Sequence, residues 1–162
     1  MINERDVLQH FAAELTERMR RAEISDRELS EYCQISEVNL PGYRSGKHLP
    51  NPWYLVLMAE RLECTVNDLL GFETHDELLY PNSPYASDAF SARNRFEIYF
   101  GHRLAQCMNS KNIGVAALSY DSGLSVSRIN RWLSDHPSLI QTPDLLRLAD
   151  ALDCTPSDLL GY

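Results

Sequence analysis

The sequence predicts an all-α protein made of two tandem copies of one five-helix unit. Three observations carry that expectation. The chain repeats its apolar residues at an offset of 89–90 positions, those residues recur at helical spacing, and no stretch alternates apolar and polar residues as a strand would.

The repeat can be followed element by element. Phe11, Leu15 and Met19 form a stripe every four residues, and Phe100, Leu104 and Met108 form the same stripe 89 residues later. Ile24, Leu29, Ser30 and Ser36 meet Ile113, Leu118, Ser119 and Ser125. Past a one-residue insertion near 135–140 the offset becomes 90, and Leu55, Ala59 and Leu62 meet Leu145, Ala149 and Leu152. Cys64-Thr65 then meets Cys154-Thr155, and Asp68-Leu69-Leu70-Gly71 meets Asp158-Leu159-Leu160-Gly161. Most matched positions are apolar, so what repeats is a core, and function need not repeat with it.

Local signals place the helix ends. Asn3 can open the first helix of copy one, and Ser87-Asp88 the first of copy two, which would run through Phe90, Phe96 and Phe100. Ser25 with Glu28 three residues on forms a capping box for the second helix. Ser36 and Ser125 are placed to cap the third. Pro52 and Pro143 fall where a fourth begins, a position that tolerates a missing N–H. Thr65 and Thr155 can cap a fifth helix that ends at Gly71 and Gly161. The expected domains are residues 1–72 and 87–162. Residues 73–86, with Pro81, Asn82, Ser83 and Pro84, form the linker.

Composition narrows the function. The net charge of −8 opposes indiscriminate nucleic-acid binding, which depends on releasing counterions from phosphate. The charge is uneven. Residues 1–72 hold 8 Lys/Arg against 12 Asp/Glu, whereas residues 99–162 hold 5 against 6, so a local basic face is feasible toward the C-terminus. The start MINERDVLQHF is charged and has no apolar signal region after it, and no stretch is apolar enough to span a bilayer, so a cytoplasmic location without membrane contact is expected. Cys33, Cys64, Cys107 and Cys154 form no CxxC pair and have no histidine at ligand spacing. They are expected to be reduced core residues, with no metal and no cofactor. The histidines at 10, 48, 75, 102 and 136 are scattered, and no nucleophile or phosphate-loop motif is present, so no catalytic residue is expected.

Residues 25–50, SDRELSEYCQISEVNLPGYRSGKHLP, and 114–139, GVAALSYDSGLSVSRINRWLSDHPSL, resemble the helix-turn-helix region of the Cro/C1-type (lambda-repressor-like, XRE) DNA-binding family. Copy two keeps the family's tight turn as Gly123-Leu124-Ser125 and its Ile-aromatic pair as Ile129 and Trp132. Copy one keeps the following loop as Gly46-Lys47-His48-Leu49-Pro50, with Tyr43 as the aromatic. The resemblance implies two tandem five-helix lambda-repressor-like domains. It also implies contact with double-stranded DNA from the start of the second helix and the exposed side of the third, which fits the major groove. Carried onto this chain, the contact residues in copy two are Ser125, Ser127, Arg128, Asn130 and Arg131. In copy one they are Arg27, Asn39, Arg44 and Lys47, but Glu37 would repel phosphate, Asp26 stands where the family often has Gln, and Pro41 and Gly42 should shorten or distort the third helix.

The expected function is that of a sequence-specific transcriptional regulator whose C-terminal copy reads DNA. The alternative is a protein-interaction module (antirepressor, antitoxin-like or assembly factor) on the same fold, motivated by the net charge and the compromised third helix of copy one. The resemblance further implies dimer contacts near the fifth helices, here Leu70, Phe72, Leu160 and Tyr162, made between chains as a homodimer or between copies as an intramolecular pseudo-dimer. The N-terminal copy is left free to meet a protein partner.

Overall fold

The computed structural model describes residues 2–73, 89–134 and 139–161, and the side chains of 89–92 and 94 lie outside that description. Among the described residues all regular structure is helical. The chain divides into two compact units, one spanning Asn3–His75 and the other formed by Asp76–Tyr162 with Met1–Ile2. The expected Ser87-Asp88 cap, the burial of Phe90 and most of the expected linker lie outside the described residues.

In the N-terminal unit, α1 (Glu4–Arg21) starts at Asn3, whose side chain accepts from Arg5 N. Its stripe of Val7, Phe11, Leu15 and Met19 is buried, and the flank of that stripe carries Glu14–Arg18 and Glu17–Arg21 ion pairs at 2.7 Å. Next comes α2 (Asp26–Cys33), where Ser25 and Glu28 make both bonds of a capping box. The third element is divided. A 3₁₀ turn over Glu37–Asn39 leads into α3 (Leu40–Arg44), with Pro41 in its first turn. Ser36 occupies the N-cap position of that turn, but its hydroxyl makes no capping bond, a departure from the expected cap. The unit closes with α4 (Pro52–Arg61) and α5 (Val66–Leu70). Thr65 and Asp68 box the latter, and Gly71 ends it at φ +81°. α1 packs on α3 and α5, and α4 packs on α2 and α5. Trp53, Leu55, Val56, Met58, Val66, Leu69 and Leu70 complete the core.

The C-terminal unit runs α6 (Ala89–Ser110), α7 (Val115–Ser122), α8 (Val126–Trp132), α9 (Thr142–Ala151) and α10 (Pro156–Leu160). The starts of α2 and α7 lie 89 residues apart, and those of α4 and α9, and of α5 and α10, lie 90 apart. The packing follows the same register. Phe11 meets Tyr43 edge-on at 6.4 Å and 79°, and Phe100 meets Trp132 at 6.4 Å and 81°. In each unit, therefore, the third helix is seated against the first by one T-shaped aromatic pair. α6 packs on α8 and α10, and α7 on α8 and α9. Among the described residues no helix is long and apolar enough to cross a membrane, and no group of three or more His, Cys, Asp or Glu could hold a metal ion.

Candidate nucleic-acid interface

The turn between α7 and α8 is built by small residues. Gly123 ends α7 at φ +69°, and nothing lies within 4 Å of where a Cβ would point, so it is the backbone conformation that favours glycine here. Leu124 then turns inward and is buried. Two serines lock the corner. Ser122 Oγ donates to Leu118 O at 2.6 Å and accepts from Leu124 N at 3.3 Å, while Ser119 Oγ donates to Leu124 O at 2.6 Å. Ser125 caps α8, its Oγ accepting from Arg128 N at 3.3 Å.

From that start, helical periodicity assigns the faces of α8. Ile129 and Trp132 are buried, and Ser127, Asn130 and Arg131 are exposed on the outer side. Arg131 has no ion-pair partner among the described residues. Arg128 points along the flank toward α9 instead. Its guanidinium lies 2.6 Å from Asp144 Oδ2 and 5.9 Å from the centre of the Trp132 ring. Asp144 is buried, at 7% side-chain exposure, against 51% for Arg128. The distance is that of an ion pair, but the N–H direction does not make a hydrogen bond, so Asp144 Oδ2 has a charge partner and no donor.

A close approach holds the other end of α8. A Cβ at Gly101 of α6 would overlap the carbonyl oxygen of Trp132, so the two helix backbones come together at a position that only glycine allows. α8 is thus fixed by its cap, by Phe100 on Trp132, by Gly101 and by Asp144.

Residues 103–162 match the family model of the Cro/C1-type HTH DNA-binding domain. The match takes in the last eight residues of α6 and the whole of α7 to α10, and with them the Ser127, Asn130 and Arg131 face. No curated protein and no solved structure matches the chain. The similarity to a Cro/C1-type domain is thus confined to residues 103–162, and the N-terminal unit shares with that region the 89–90-residue offset of its helix starts.

The corresponding face of the N-terminal unit is chemically different. Arg27 is paired with Glu31 at 2.8 Å, and Arg44 with Asp26 at 2.6 Å, so both arginines expected to meet phosphate have a carboxylate beside them. Lys47 is exposed, and Asn39 is half-buried. Gly42 stands 89 residues before Arg131, and the His48 ring lies over it, 2.6 Å from where a Cβ would sit, and packs on Tyr43 at 4.9 Å. Val38, at 80% exposure, and Pro41 are turned outward. Where the C-terminal unit shows Ser127, Asn130 and Arg131, the N-terminal unit shows Val38, Pro41 and Gly42.

Of the residues expected at a dimer contact, Leu70 and Leu160 are fully buried on α5 and α10, which pack on α1 and α6. As placed, they offer no surface to a second chain, because short helices close a core with their leucines. Phe72 is half-buried, and Tyr162 lies outside the described residues.

Sequence reasoning missed Asp144, Gly101, the His48 ring and Tyr120, which is 89% exposed on α7. Asp144 had a signal in the comparison of the copies. Arg128 and Asp144 stand at the positions of Asn39 and Tyr54, so both members of the pair differ between copies.

Proposed function

We propose that the protein is a sequence-specific DNA-binding regulator that lays α8 in the major groove and reads bases with Ser127, Asn130 and Arg131. The observation that carries this reading is the outward Arg131, without an ion-pair partner among the described residues, beside Ser127 and Asn130 on a family-matched helix. Arginine makes paired hydrogen bonds to guanine, and asparagine does so to adenine. The N-terminus of α7, capped at Gly114 without a side-chain bond, leaves first-turn N–H groups for a phosphate. Arg128 acts as a positioning residue for α8 through Asp144. The N-terminal unit does not read bases, and its Val38 and Pro41 face suits a protein partner. With one reader per chain, affinity comes from a homodimer that places two C-terminal units on half-sites about 34 Å apart.

Selection of bound duplexes from a random pool by the full chain, followed by fluorescence anisotropy at about 50 mM salt, tests the reading. Arg131→Ala is expected to lower affinity for the selected site about 10- to 100-fold and to relax one base position. Lys47→Ala should leave the selected sequence unchanged. An unenriched pool, or equal binding by the Arg131→Ala chain, would favour a protein-interaction module instead.

A further inference from the structure

We propose that Cys107 and Cys154 form a redox-modifiable thiol pair, in which Cys107 takes oxygen from a hydroperoxide and Cys154 resolves the product to an intramolecular disulfide. The placement comes from two clamps. Arg103 and Cys107 lie one turn apart on α6, and Lys111 follows at the same four-residue spacing just past the helix end. Arg103 donates to the carbonyl of Asp158 at 2.9 and 2.6 Å. Lys111 donates to the carbonyl of Asp153 at 3.4 Å and lies 3.6 Å from its carboxylate. Cys107, midway between those two, therefore faces the segment between 153 and 158, where Cys154 stands. The Cys107 and Cys154 thiols lie within hydrogen-bonding reach of each other, and both side chains are half-buried rather than sealed.

The N-terminal unit supplies the contrast. At the register of Cys107 it has Arg18, paired with Glu14 at 2.7 Å, so Cys64, the counterpart of Cys154, has no thiol partner there. Cys33 and Cys64 are buried, and burial pushes both thiols up to about 12. Cys107 moves the other way, down to about 7, chiefly through the hydrogen bond from Cys154, then through Arg103 and Lys111, with burial and Asp158 opposing. The expectation of buried core cysteines is met by Cys33 and Cys64, whereas Cys107 and Cys154 are only half-buried. Cys107 and Cys154 differ because the Arg103 and Lys111 clamps bring a second thiol to a surface-accessible seam.

In the first step the Cys107 thiolate attacks one peroxide oxygen. An S–O bond forms, the O–O bond breaks, and the departing hydroxide or alkoxide takes a proton. The sulfur loses two electrons to the peroxide and becomes a sulfenic acid, which removes the negative charge that had held the Cys154 proton. In the second step the Cys154 sulfur attacks that of Cys107. The S–S bond forms, the S–O bond breaks, and the hydroxide leaves as water with the proton from Cys154. Overall, two thiols and one hydrogen peroxide give one disulfide and two waters.

The test treats the reduced full chain with hydrogen peroxide at pH 7, blocks free thiols under denaturing conditions, and maps the peptides. The expected result is a monomer that has lost two hydrogens, with Cys107 linked to Cys154 and with Cys33 and Cys64 alkylated. Before oxidation, Cys107 should react with iodoacetamide at least about ten-fold faster than Cys33. In C154S the reaction should stop at a sulfenic acid on Cys107 that dimedone traps. Four free thiols after treatment that oxidises glutathione, links between chains or to Cys33 or Cys64, or trapping at Cys154 rather than Cys107 would each overturn the assignment.

Discussion

Replacing Arg128 with alanine is expected to destabilise the C-terminal unit by about 1–3 kcal/mol, whereas Arg131→Ala should stay within about 0.5 kcal/mol of the parent. The two arginines lie three residues apart on one short helix, so position alone does not separate them. Asp144 does. Its carboxylate is buried, Oδ2 has no hydrogen-bond donor, and Arg128 is its charge partner. Removing one member of a fully buried pair costs about 3–5 kcal/mol, and the figure here is lower because Arg128 is half-exposed and its field is screened. The effect should also be asymmetric. Asp144→Ala leaves a guanidinium that water can solvate, at a cost of about 0–1 kcal/mol, and Asp144→Ala in the Arg128→Ala background should recover most of the loss. Urea unfolding of the four chains measures this directly. Equal costs for Arg128→Ala and Arg131→Ala would remove Asp144 from the account of how α8 is held. A double arginine variant used alone to test DNA binding would mix a lost contact with a loosened domain.

Gly101→Ala is expected to lower stability by about 1–3 kcal/mol, although alanine at a helix-interior position is intrinsically worth about 1 kcal/mol over glycine. The methyl group would meet the carbonyl oxygen of Trp132, a backbone atom that cannot rotate aside, so α6 and α8 must separate and Phe100 must shift on Trp132. For a domain of this size each kcal/mol is about 4–8 °C in Tm. Ala12 stands at the same register of the N-terminal unit and is accommodated there, so Ala12→Gly should cost about 1–2 kcal/mol through helix propensity and the loss of a buried methyl. Thermal unfolding followed by tryptophan fluorescence, with Trp53 in one unit and Trp132 in the other, reports on both. A rise in Tm for Gly101→Ala would mean that the two helices are not in backbone contact.

Much of this fold was legible in the residues. Four-residue apolar stripes, the Ser25-Glu28 box, and the Thr65 and Thr155 caps with glycines at 71 and 161 act within one or two turns, and the structure has them where the pattern places them. Tertiary contacts were less legible. Arg128 and Arg131 look alike in sequence, and only the approach of α9 separates an anchored arginine from an outward one. Pro41 and Gly42 announced a short third helix in copy one, and α3 has five residues against seven in α8. His48 over Gly42 and the clamps around Cys107 depend on chain crossings that no local pattern encodes.

The way α8 is held also bears on the heat of binding. A seven-residue helix would be largely unfolded as an isolated peptide, because nucleating a helix costs more than two turns return. Here the Ser125 cap, the Phe100–Trp132 contact, the Gly101 approach and the Asp144 pair order it before any duplex arrives. Docking such a pre-formed helix forfeits little conformational entropy, so its heat-capacity change should match the apolar area buried at the interface and lack the larger negative excess of a segment that folds as it binds.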